Sequence, residues 1–208
     1  MLENFKISKV TKSECLPFLK KYHYLSKHSK GFRVGVNFGL FKDDILVGVC
    51  IFHSPSVPET TKGCFGLEKN HKNKIYELGR LCLKKDIKIK NILSWFLSKS
   101  IKLLRKEYNV CAILSYADSS LHFGYIYQAT NFKYYGLTDK KNDFWFELDD
   151  GSFVKHQRGP VKNRKGEWRP RTEKHRYLLI FNDNLKCKWK ESPYPKGNNK
   201  AAYNKKES

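Results

Sequence analysis

Apolar and polar residues alternate along this chain in patterns that predict a mixture of strands and helices. Residues 110–114 form a short continuous apolar run, which is typical of a strand buried on both faces. An amphipathic helix is predicted to begin at Asn91, because apolar side chains then recur every three or four residues, at Leu93, Leu97, Ile101, Leu104 and Tyr108. The stretch 76–136 therefore predicts strand, helix, strand, helix and strand, and the rest of the chain is organised around it.

Weaker patterns on both sides of this stretch predict further elements. An opening strand at 5–10 precedes a helix that begins at Ser13, and two glycine-dotted apolar runs at 32–41 and 45–52 predict a β-hairpin. Residues 55–73 contain several prolines and glycines, so they predict a long loop of the kind that covers substrates or is disordered. The remaining predicted elements are strands at 75–83, 133–137, 143–148 and 177–181 and a shorter helix near 120–130.

Polar side chains follow the buried strand abruptly, at Ser115, Tyr116 and Asp118. Because open α/β sheets bind ligands at the carboxyl ends of their strands, this position is the candidate active site. Asp118 either caps the following helix or accepts a proton from a nucleophile, and the two roles are compatible.

Arg80 lies in an otherwise apolar strand. A guanidinium that is buried without a partner costs several kcal/mol, so an anion must meet it. That anion is either internal, from Glu77 or Asp118, or a phosphate or carboxylate of a ligand.

Tyr127 and His23 are ambiguous on their own. A tyrosine on a helix is more often a core residue, and a lone histidine at a helix end more often caps or packs. Metal binding by His23 would need partners, for which the candidates by residue type are His28, His53 and His71.

The charge balance points to a polyanionic partner. The 208 residues carry 41 Lys and Arg against 20 Asp and Glu, a net charge of +21, which favours nucleic acid because bound cations release the counterions of phosphates. Charge is densest in residues 155–208, with 16 basic and 5 acidic side chains. Trp168 and His175 lie among these cations and offer stacking surfaces for an unpaired base, although a solvated loop is the alternative interpretation. The cations of segment 155–176 are Lys155, Arg158, Lys162, Arg164, Lys165, Arg169, Arg171, Lys174 and Arg176.

The cysteine spacing and the hydropathy indicate the cellular compartment. Six cysteines show no Cys-x-x-Cys pair, and no apolar run approaches the length of a membrane-spanning helix or a secretory signal. We therefore expect a reduced, cytoplasmic protein with no membrane partner and no structural zinc. These patterns leave the oligomeric state open.

Several short motifs, taken together and in order, resemble one protein family. They are His23-Tyr24-Leu25, Glu77-Leu-Gly-Arg80-Leu, Asn91 with Ser94-Trp95-Phe96-Leu97, Ser115-Tyr-Ala-Asp118, Tyr127-Gln-Ala-Thr-Asn131-Phe132 and Lys174-His175-Arg176-Tyr177. The order of elements resembles the GNAT acyltransferase fold, and the motifs resemble its Mom branch of phage DNA-modification proteins. This resemblance covers most of residues 20–180.

The resemblance implies an α+β, three-layer fold: a mixed, mostly antiparallel sheet flanked by helices, with a basic C-terminal extension. Together with the charge and composition of the last third of the chain, it predicts a catalytic domain at 1–154, a basic DNA-binding extension packed on it at 155–189, and a disordered tail at 190–208. The implied activity places a methylcarbamoyl group on N6 of a flipped adenine in double-stranded phage DNA, which hides the DNA from host restriction enzymes.

The resemblance also implies roles for individual residues. Tyr127 matches the tyrosine that protonates the departing coenzyme A thiolate in the GNAT fold, and we assign Asp118 as the base, Arg80 as an anion clamp and Ser115 as a polar support. The assigned cofactor residues, for acetyl-CoA or another acyl donor, are Asn91, Ser94 and Asn131. The assigned DNA-contacting residues are His23, Tyr24, Lys155, Arg158, Arg164, Trp168, Arg169, Arg171, Lys174, His175 and Arg176.

Two features depart from a simple acetyltransferase. Residues 85–91 replace the glycine-rich loop that cradles the pyrophosphate of acyl-CoA in the GNAT fold. The family's product is not a plain N-acetyl group. Iron is the metal that the resemblance suggests as a cofactor. The alternative functions are a GNAT N-acetyltransferase that acts on a protein or a small amine, and a non-catalytic DNA-binding protein.

Overall fold

The computed structural model describes residues 2–24, 32–33, 35–57, 59–67, 75–156 and 159–198. Its strands are β1 Phe5–Lys9, β2 Val36–Lys42, β3 Ile45–His53, β4 Ile75–Leu83, β5 Ala112–Asp118, β6 Lys133–Leu137, β7 Lys141–Glu147, β8 Phe153–Lys155, β9 Gly166–Arg171 and β10 Lys174–Ile180. Its helices are α1 Lys12–Tyr22, α2 Glu59–Phe65, α3 Ile92–Glu107 and α4 Tyr125–Gln128.

Seven of these strands form the main sheet, in the order β1-β2-β3-β4-β5-β10-β6. Neighbouring strands run antiparallel except β4 and β5, which are parallel and are connected by the crossover helix α3. β10 pairs with β5 on one side and with β6 on the other, so a late segment of the chain is inserted between two earlier strands. The mixed, mostly antiparallel sheet that the sequence predicted is confirmed.

Helices cover both faces of the main sheet. Helix α1 lies on one face and α3 on the opposite face. Helix α1 buries Cys15, Phe18 and Leu19 against β3 and β4. A capping box between Thr11 and Glu14 fixes where α1 begins. Helix α3 covers the opposite face, and its buried residues are Ile92, Phe96, Leu97, Ser100, Ile101 and Leu104. Three residues of the predicted stripe are among them, whereas Leu93 is only partly buried and Tyr108 is the C-cap. The three layers therefore follow from amphipathic helices that bury one stripe each.

The parallel strands β4 and β5 separate part-way along their length. Their pairing ends at Glu77 and Leu114, although both strands continue beyond these residues. Ser115 bridges the point of separation, because its fully buried hydroxyl donates a hydrogen bond to the carbonyl of Leu78 at 3.3 Å. Beyond this bridge the main sheet has a gap between its own central strands.

A second sheet of three strands, in the order β8-β7-β9, forms an arm that we define as residues 141–171. β7 directly follows β6 and β9 directly precedes β10, so the arm continues the β6–β10 ribbon of the main sheet. At the junction, the Thr138 amide donates to the Lys174 carbonyl and the Lys174 amide donates to the Thr138 hydroxyl, both at 2.9 Å. Ser119 donates to the Glu173 carbonyl through its amide (3.1 Å) and its hydroxyl (2.7 Å). The arm therefore starts beside the carboxyl end of β5.

Three predicted boundaries differ from the structure. Helix α2 lies inside the stretch that was predicted as a long loop. Residue 154 does not divide two units, because the arm is an insertion between β6 and β10 rather than a C-terminal extension. Residues 190–198, predicted to be disordered, pack along β6 and α4, where the Ser192 amide donates to the Tyr134 carbonyl (2.9 Å) and the Tyr194 hydroxyl to the Phe132 carbonyl (2.8 Å). The polar composition of this segment gave no sign of its packing. Hydrogen bonds of the backbone and of a tyrosine hydroxyl hold the segment, and no apolar stripe is needed.

Candidate active site

A cavity of about 240 Å³ lies in the gap between β4 and β5. It takes residues from the helices on both faces of the sheet, since Leu93 of α3 and Ile126 of α4 line it together with the residues that follow α1. Six residues that the sequence predicted for the site meet there: His23, Tyr24, Arg80, Asp118, Tyr127 and Lys174. The gap between the strands therefore gathers the predicted acid, base and anion clamp around one space.

The turn after β5 holds the carboxylate of Asp118 in one orientation. Its Oδ1 accepts hydrogen bonds from the amide (2.9 Å) and the hydroxyl (2.6 Å) of Ser120. Among the described residues, none donates a hydrogen bond to Oδ2. Asp118 does not cap α4, whose N-cap is Gly124. One carboxylate oxygen thus orders the turn, and the other has no described partner.

Tyr127 is brought to the cavity by the single turn of α4. Its ring packs against Tyr177 and Phe132, with centroids 5.1 and 5.7 Å away, and the residue is only 8% exposed. Gly124 makes this packing possible at φ 72°, because a Cβ there would lie 2.9 Å from the Tyr127 ring and 2.7 Å from the Tyr177 ring. The aromatic core therefore fixes the ring at the cavity.

Arg80 is half-buried and brings a positive charge to the cavity. Within the part of the chain that the structure describes it forms no ion pair, and its Nη1 donates to the Gly79 carbonyl at 2.6 Å. Of the two internal anions, the Glu77 carboxylate accepts from the Ser56 amide (2.7 Å) and hydroxyl (3.1 Å). Asp118 forms no ion pair with Arg80 among the described residues, and its Oδ1 is bound by Ser120. An anion supplied by a ligand would complete the environment of Arg80.

Aromatic side chains form another part of the cavity wall. His23, the C-cap of α1, stacks on Tyr24 with ring centroids 4.6 Å apart, and Tyr24 meets His122 edge-on at 6.1 Å. Burial, aided by the charge of Arg80, lowers the pKa of His23 to about 4, so this imidazole is neutral at pH 7. Burial also lowers the pKa of His122, whose Nδ1 accepts a hydrogen bond from the Gly124 amide at 3.2 Å.

Three polar residues that line the cavity were assigned no catalytic or binding role from the sequence: Glu77, Tyr116 and His122. Glu77 was named only as a partner for Arg80, and Tyr116 only as one of the polar residues after the apolar run. His122 lies in the turn between β5 and α4, where no periodic pattern marks a site residue. The feature that could have identified His122 as a site residue is its short distance along the chain from Asp118 and Tyr127.

A second cavity, of about 300 Å³, lies at the start of α3 and includes two of the three predicted cofactor residues, Asn91 and Ser94. Asn91 occupies the predicted N-cap position with φ 61°, but its side chain makes no capping hydrogen bond. The Ser94 hydroxyl donates to the Asn91 carbonyl at 2.9 Å. The third residue, Asn131, is an exposed turn residue with φ 63° and lines neither cavity. The other residues of this second cavity are Trp95, Ser98, Lys99, Lys102 and Ala129.

The alternation of strands sorts the side chains of the arm onto two faces. The charged face consists of Lys141, Asp143, Trp145, Glu147, Phe153, Lys155, Lys165, Glu167, Arg169 and Arg171. The aromatic face consists of Phe144, Phe146, Val154, His156, Arg164, Trp168 and Pro170. Trp168 therefore lies on the opposite side of the arm from three predicted DNA-contacting cations.

Ion pairs occupy most cations of the charged face. Lys155 and Arg171 both approach Asp143, the latter at 3.9 Å. The other two pairs join Lys165 to Glu147 at 3.0 Å and Arg169 to Glu167. The free positive charge of this face is therefore smaller than its number of cations indicates.

The last two predicted DNA-contacting residues are held inside the fold. His175 is buried and its Nδ1 is hydrogen-bonded to the Tyr134 hydroxyl at 2.9 Å. The guanidinium of Arg176 lies over the Trp189 ring at 4.7 Å, and its buried Nε has no hydrogen-bond partner among the described residues. Arg158 lies outside the residues that the structure describes.

Within residues 2–198, excluding the undescribed gaps, no group of three or more His, Cys, Asp or Glu side chains is arranged to hold a metal. Iron therefore has no support among the described residues, and His28 and His71, named as candidate partners of His23, lie outside them. None of the described helices combines the length and the hydrophobicity that crossing a lipid bilayer requires.

The fold is that of the GNAT acetyltransferases, as three solved structures illustrate. The ribosomal-protein-S5-alanine acetyltransferase from Vibrio fischeri matches with a TM-score of 0.52 at 10% identity, over 89% of this chain and 97% of that one. A putative acetyltransferase from Salmonella typhimurium with its cofactor acetyl-CoA matches with 0.51 at 11% identity, over 88% and 98%. The acetyltransferase of the GNAT family from Streptococcus pneumoniae matches with 0.50 at 9% identity, over 85% and 99%.

The particular family follows from the sequence. The model of the Mom protein family matches residues 4–196, so the chain belongs to this family. No curated protein matches the chain at a significant level. The fold and the family that the motifs indicated are both confirmed.

Proposed function

We propose that this protein is a transferase that modifies N6 of adenine in DNA. Membership of the Mom family implies that the transferred group is methylcarbamoyl and that the product protects phage DNA from restriction in the host cytoplasm. One observation carries the proposal: the gap between β4 and β5 gathers Arg80, Asp118 and Tyr127 around one cavity, and the basic arm starts at its edge.

The first step of the reaction needs a base. N6 of adenine is a poor nucleophile, because its lone pair is delocalised into the ring, so it must lose a proton as it attacks the carbonyl carbon of the donor. Asp118 accepts that proton, and the two hydrogen bonds from Ser120 to Oδ1 hold its carboxylate ready. A new bond then joins N6 to the carbonyl carbon.

The second step needs an acid. As the bond between the carbonyl carbon and the donor breaks, the leaving group takes the electron pair and receives the phenolic proton of Tyr127. Arg80 holds an anionic part of the donor or of the DNA, and the neutral His23 lines the pocket without adding charge.

The second cavity supports a donor with an anionic carrier. The donor must itself hold the methylcarbamoyl group, because attack of N6 on the carbonyl carbon of acetyl-CoA would give N6-acetyladenine. The cavity combines the N-terminus of α3 with Lys99 and Lys102, and both features attract phosphate groups. Because residues 85–91 replace the glycine-rich loop, three lysines stand where backbone amides would cradle a pyrophosphate.

The proposed substrate is double-stranded DNA with one adenine flipped out of the stack. Flipping costs a few kcal/mol, which contacts between the protein and the DNA must offset. Lys174 stands opposite Asp118 in the β10–β5 register and lines the cavity, so a cation at the base of the arm lies beside the proposed base. Backbone contacts by the arm would bring the flipped adenine to this point.

The test is to express the protein, digest host DNA to nucleosides and search for modified deoxyadenosine by mass spectrometry. We expect a nucleoside heavier than deoxyadenosine by the mass of the added group. Unmodified adenine in cells that contain the folded protein would overturn the proposal.

The alternative of an N-acetyltransferase for a protein or a small amine is supported by the fold. Turnover of acetyl-CoA on such an acceptor without DNA would favour it. Binding of DNA with a steep salt dependence but no altered nucleoside would instead favour a non-catalytic DNA-binding protein.

A further inference from the structure

We propose that the aromatic face of the arm binds exposed nucleobases, with Trp168 as the stacking residue, while the charged face does not contact bases. The inference rests on the proposed function in taking DNA as the partner. The inference identifies the surface that binds the bases next to the flipped adenine. The proposed reaction does not specify this surface.

The aromatic face has the form of a stacking platform. Trp168 is 59% exposed and meets the buried Phe144 edge-on at 5.2 Å, and Phe144 packs in turn on Phe146 at 5.3 Å. The guanidinium of Arg164 lies over the Phe146 ring at 4.8 Å. Aromatic rings and arginine guanidiniums are the groups on which unpaired bases stack in proteins that bind single strands, and the aromatic face presents both.

The charged face lacks such a platform, although it also contains a tryptophan. The guanidinium of Arg169 lies 4.9 Å from the Trp145 ring centroid and 4.3 Å from that of Phe153, so one face of each ring is already covered. Arg169 is paired with Glu167 as well. A base approaching Trp145 would have to displace this cation, whereas Trp168 is exposed.

The position of the arm relative to the cavity supports the choice of ligand. The arm ends at Arg171, and Lys174, three residues later, lines the cavity opposite Asp118. When an adenine leaves the duplex, its neighbours lose stacking on one side. An indole near the base of the arm would replace part of that lost stacking, and the free face of Trp168 is suited to this role.

The experiment compares full-length variants in binding to a single-stranded DNA oligonucleotide and to inorganic polyphosphate. We expect Trp168→Ala to weaken binding of the oligonucleotide about tenfold, as the loss of one stacked base predicts, and Trp168→Phe to restore most of it. Binding of polyphosphate, which has charge but no bases, should stay unchanged.

The matched control is Trp145→Ala on the charged face, for which we expect a loss of binding below about twofold. Equal losses for the two alanine variants, an unchanged affinity in Trp168→Ala, or no binding of the oligonucleotide by the wild-type protein would each overturn the inference.

A parallel nucleoside analysis separates this inference from the proposed function. If the wild-type protein modifies deoxyadenosine but Trp168→Ala binds single strands normally, the inference fails and the function stands. If binding depends on Trp168 but no nucleoside is altered, the function fails and the base-binding face stands.

Discussion

The main sheet and the arm hold their functional side chains in position by different kinds of contact. Around the cavity, fully buried residues such as Phe96, Phe132 and Tyr177 fix the positions of the reactive groups. In the arm, Phe144 is the only buried hydrophobic residue among those described, and exposed ion pairs supply much of the remaining contact. Proton transfer requires groups within hydrogen-bonding reach of the reacting atoms, whereas contacts with a charged polymer tolerate adjustment.

This difference has a consequence for mutagenesis. Substitutions around the cavity act on a close-packed region, where a change of one atom is felt. Substitutions on the arm act on weak, solvent-screened contacts, so they change affinity more than stability. The predictions below test this contrast, from the largest expected effect to the smallest.

The largest effect is expected from removing the proposed acid or base. Asp118→Asn and Tyr127→Phe keep the shape of each side chain, so we expect adenine modification to fall by about 10²–10⁴-fold while DNA binding stays within about twofold. Nucleoside mass spectrometry measures the modification, and filter binding measures the affinity. Full activity in both variants would remove the assignment of these residues.

The pH dependence of stability should reveal the burial of His23. Its pKa lies near 4 in the folded protein against 6.5 when unfolded, so between these pH values the unfolded state binds more protons and stability falls as the pH is lowered. The loss of stability from this group reaches about 3 kcal/mol at pH 4. Urea unfolding at pH 7 and pH 4.5 should show a smaller loss of stability in His23→Gln than in the wild-type protein. An equal loss would show that other groups dominate the acid response.

A single methyl group at Gly79 should strain the cavity wall. A Cβ at this position would lie 2.1 Å from Nε2 of the buried His53, so we expect Gly79→Ala to destabilise the protein by about 1–3 kcal/mol. Gly63 is the matched control, because it lies in α2 with nothing within 4 Å of the added atom. Gly63→Ala should leave stability unchanged or raise it by up to about 1 kcal/mol. Thermal unfolding of both variants tests the comparison, and similar changes would contradict it.

The smallest effect on stability is expected in the arm. Lys155 pairs with Asp143 at an exposed position, so Lys155→Ala should cost less than about 1 kcal/mol of unfolding free energy. If Lys155 also contacts a phosphate, the slope of the logarithm of DNA affinity against the logarithm of salt concentration should fall by about one. A loss of stability as large as that of Gly79→Ala would show that the arm is packed as tightly as the main sheet.

The local pattern of the chain was enough to predict β4, α3, β6 and the apolar part of β5, which continues through Ser115 to Asp118 beyond the predicted run. These elements bury continuous apolar runs or stripes, and hydrophobic periodicity records such burial directly. The same pattern could not predict α2 or the packing of residues 190–198, because short or polar segments are held by contacts with distant parts of the chain.

By itself the sequence determined the family, the fold class and the position of Asp118 at the end of a buried strand, since each depends on neighbouring residues along the chain. Only the tertiary structure decided that β4 and β5 separate, that His122 joins Asp118 and Tyr127 at one cavity, and that Glu77 is bound by Ser56 rather than by Arg80. It also decided which face of the arm each aromatic residue occupies. These features depend on pairing between strands that are far apart in the sequence, and the periodicity within one strand does not specify which strand lies beside it.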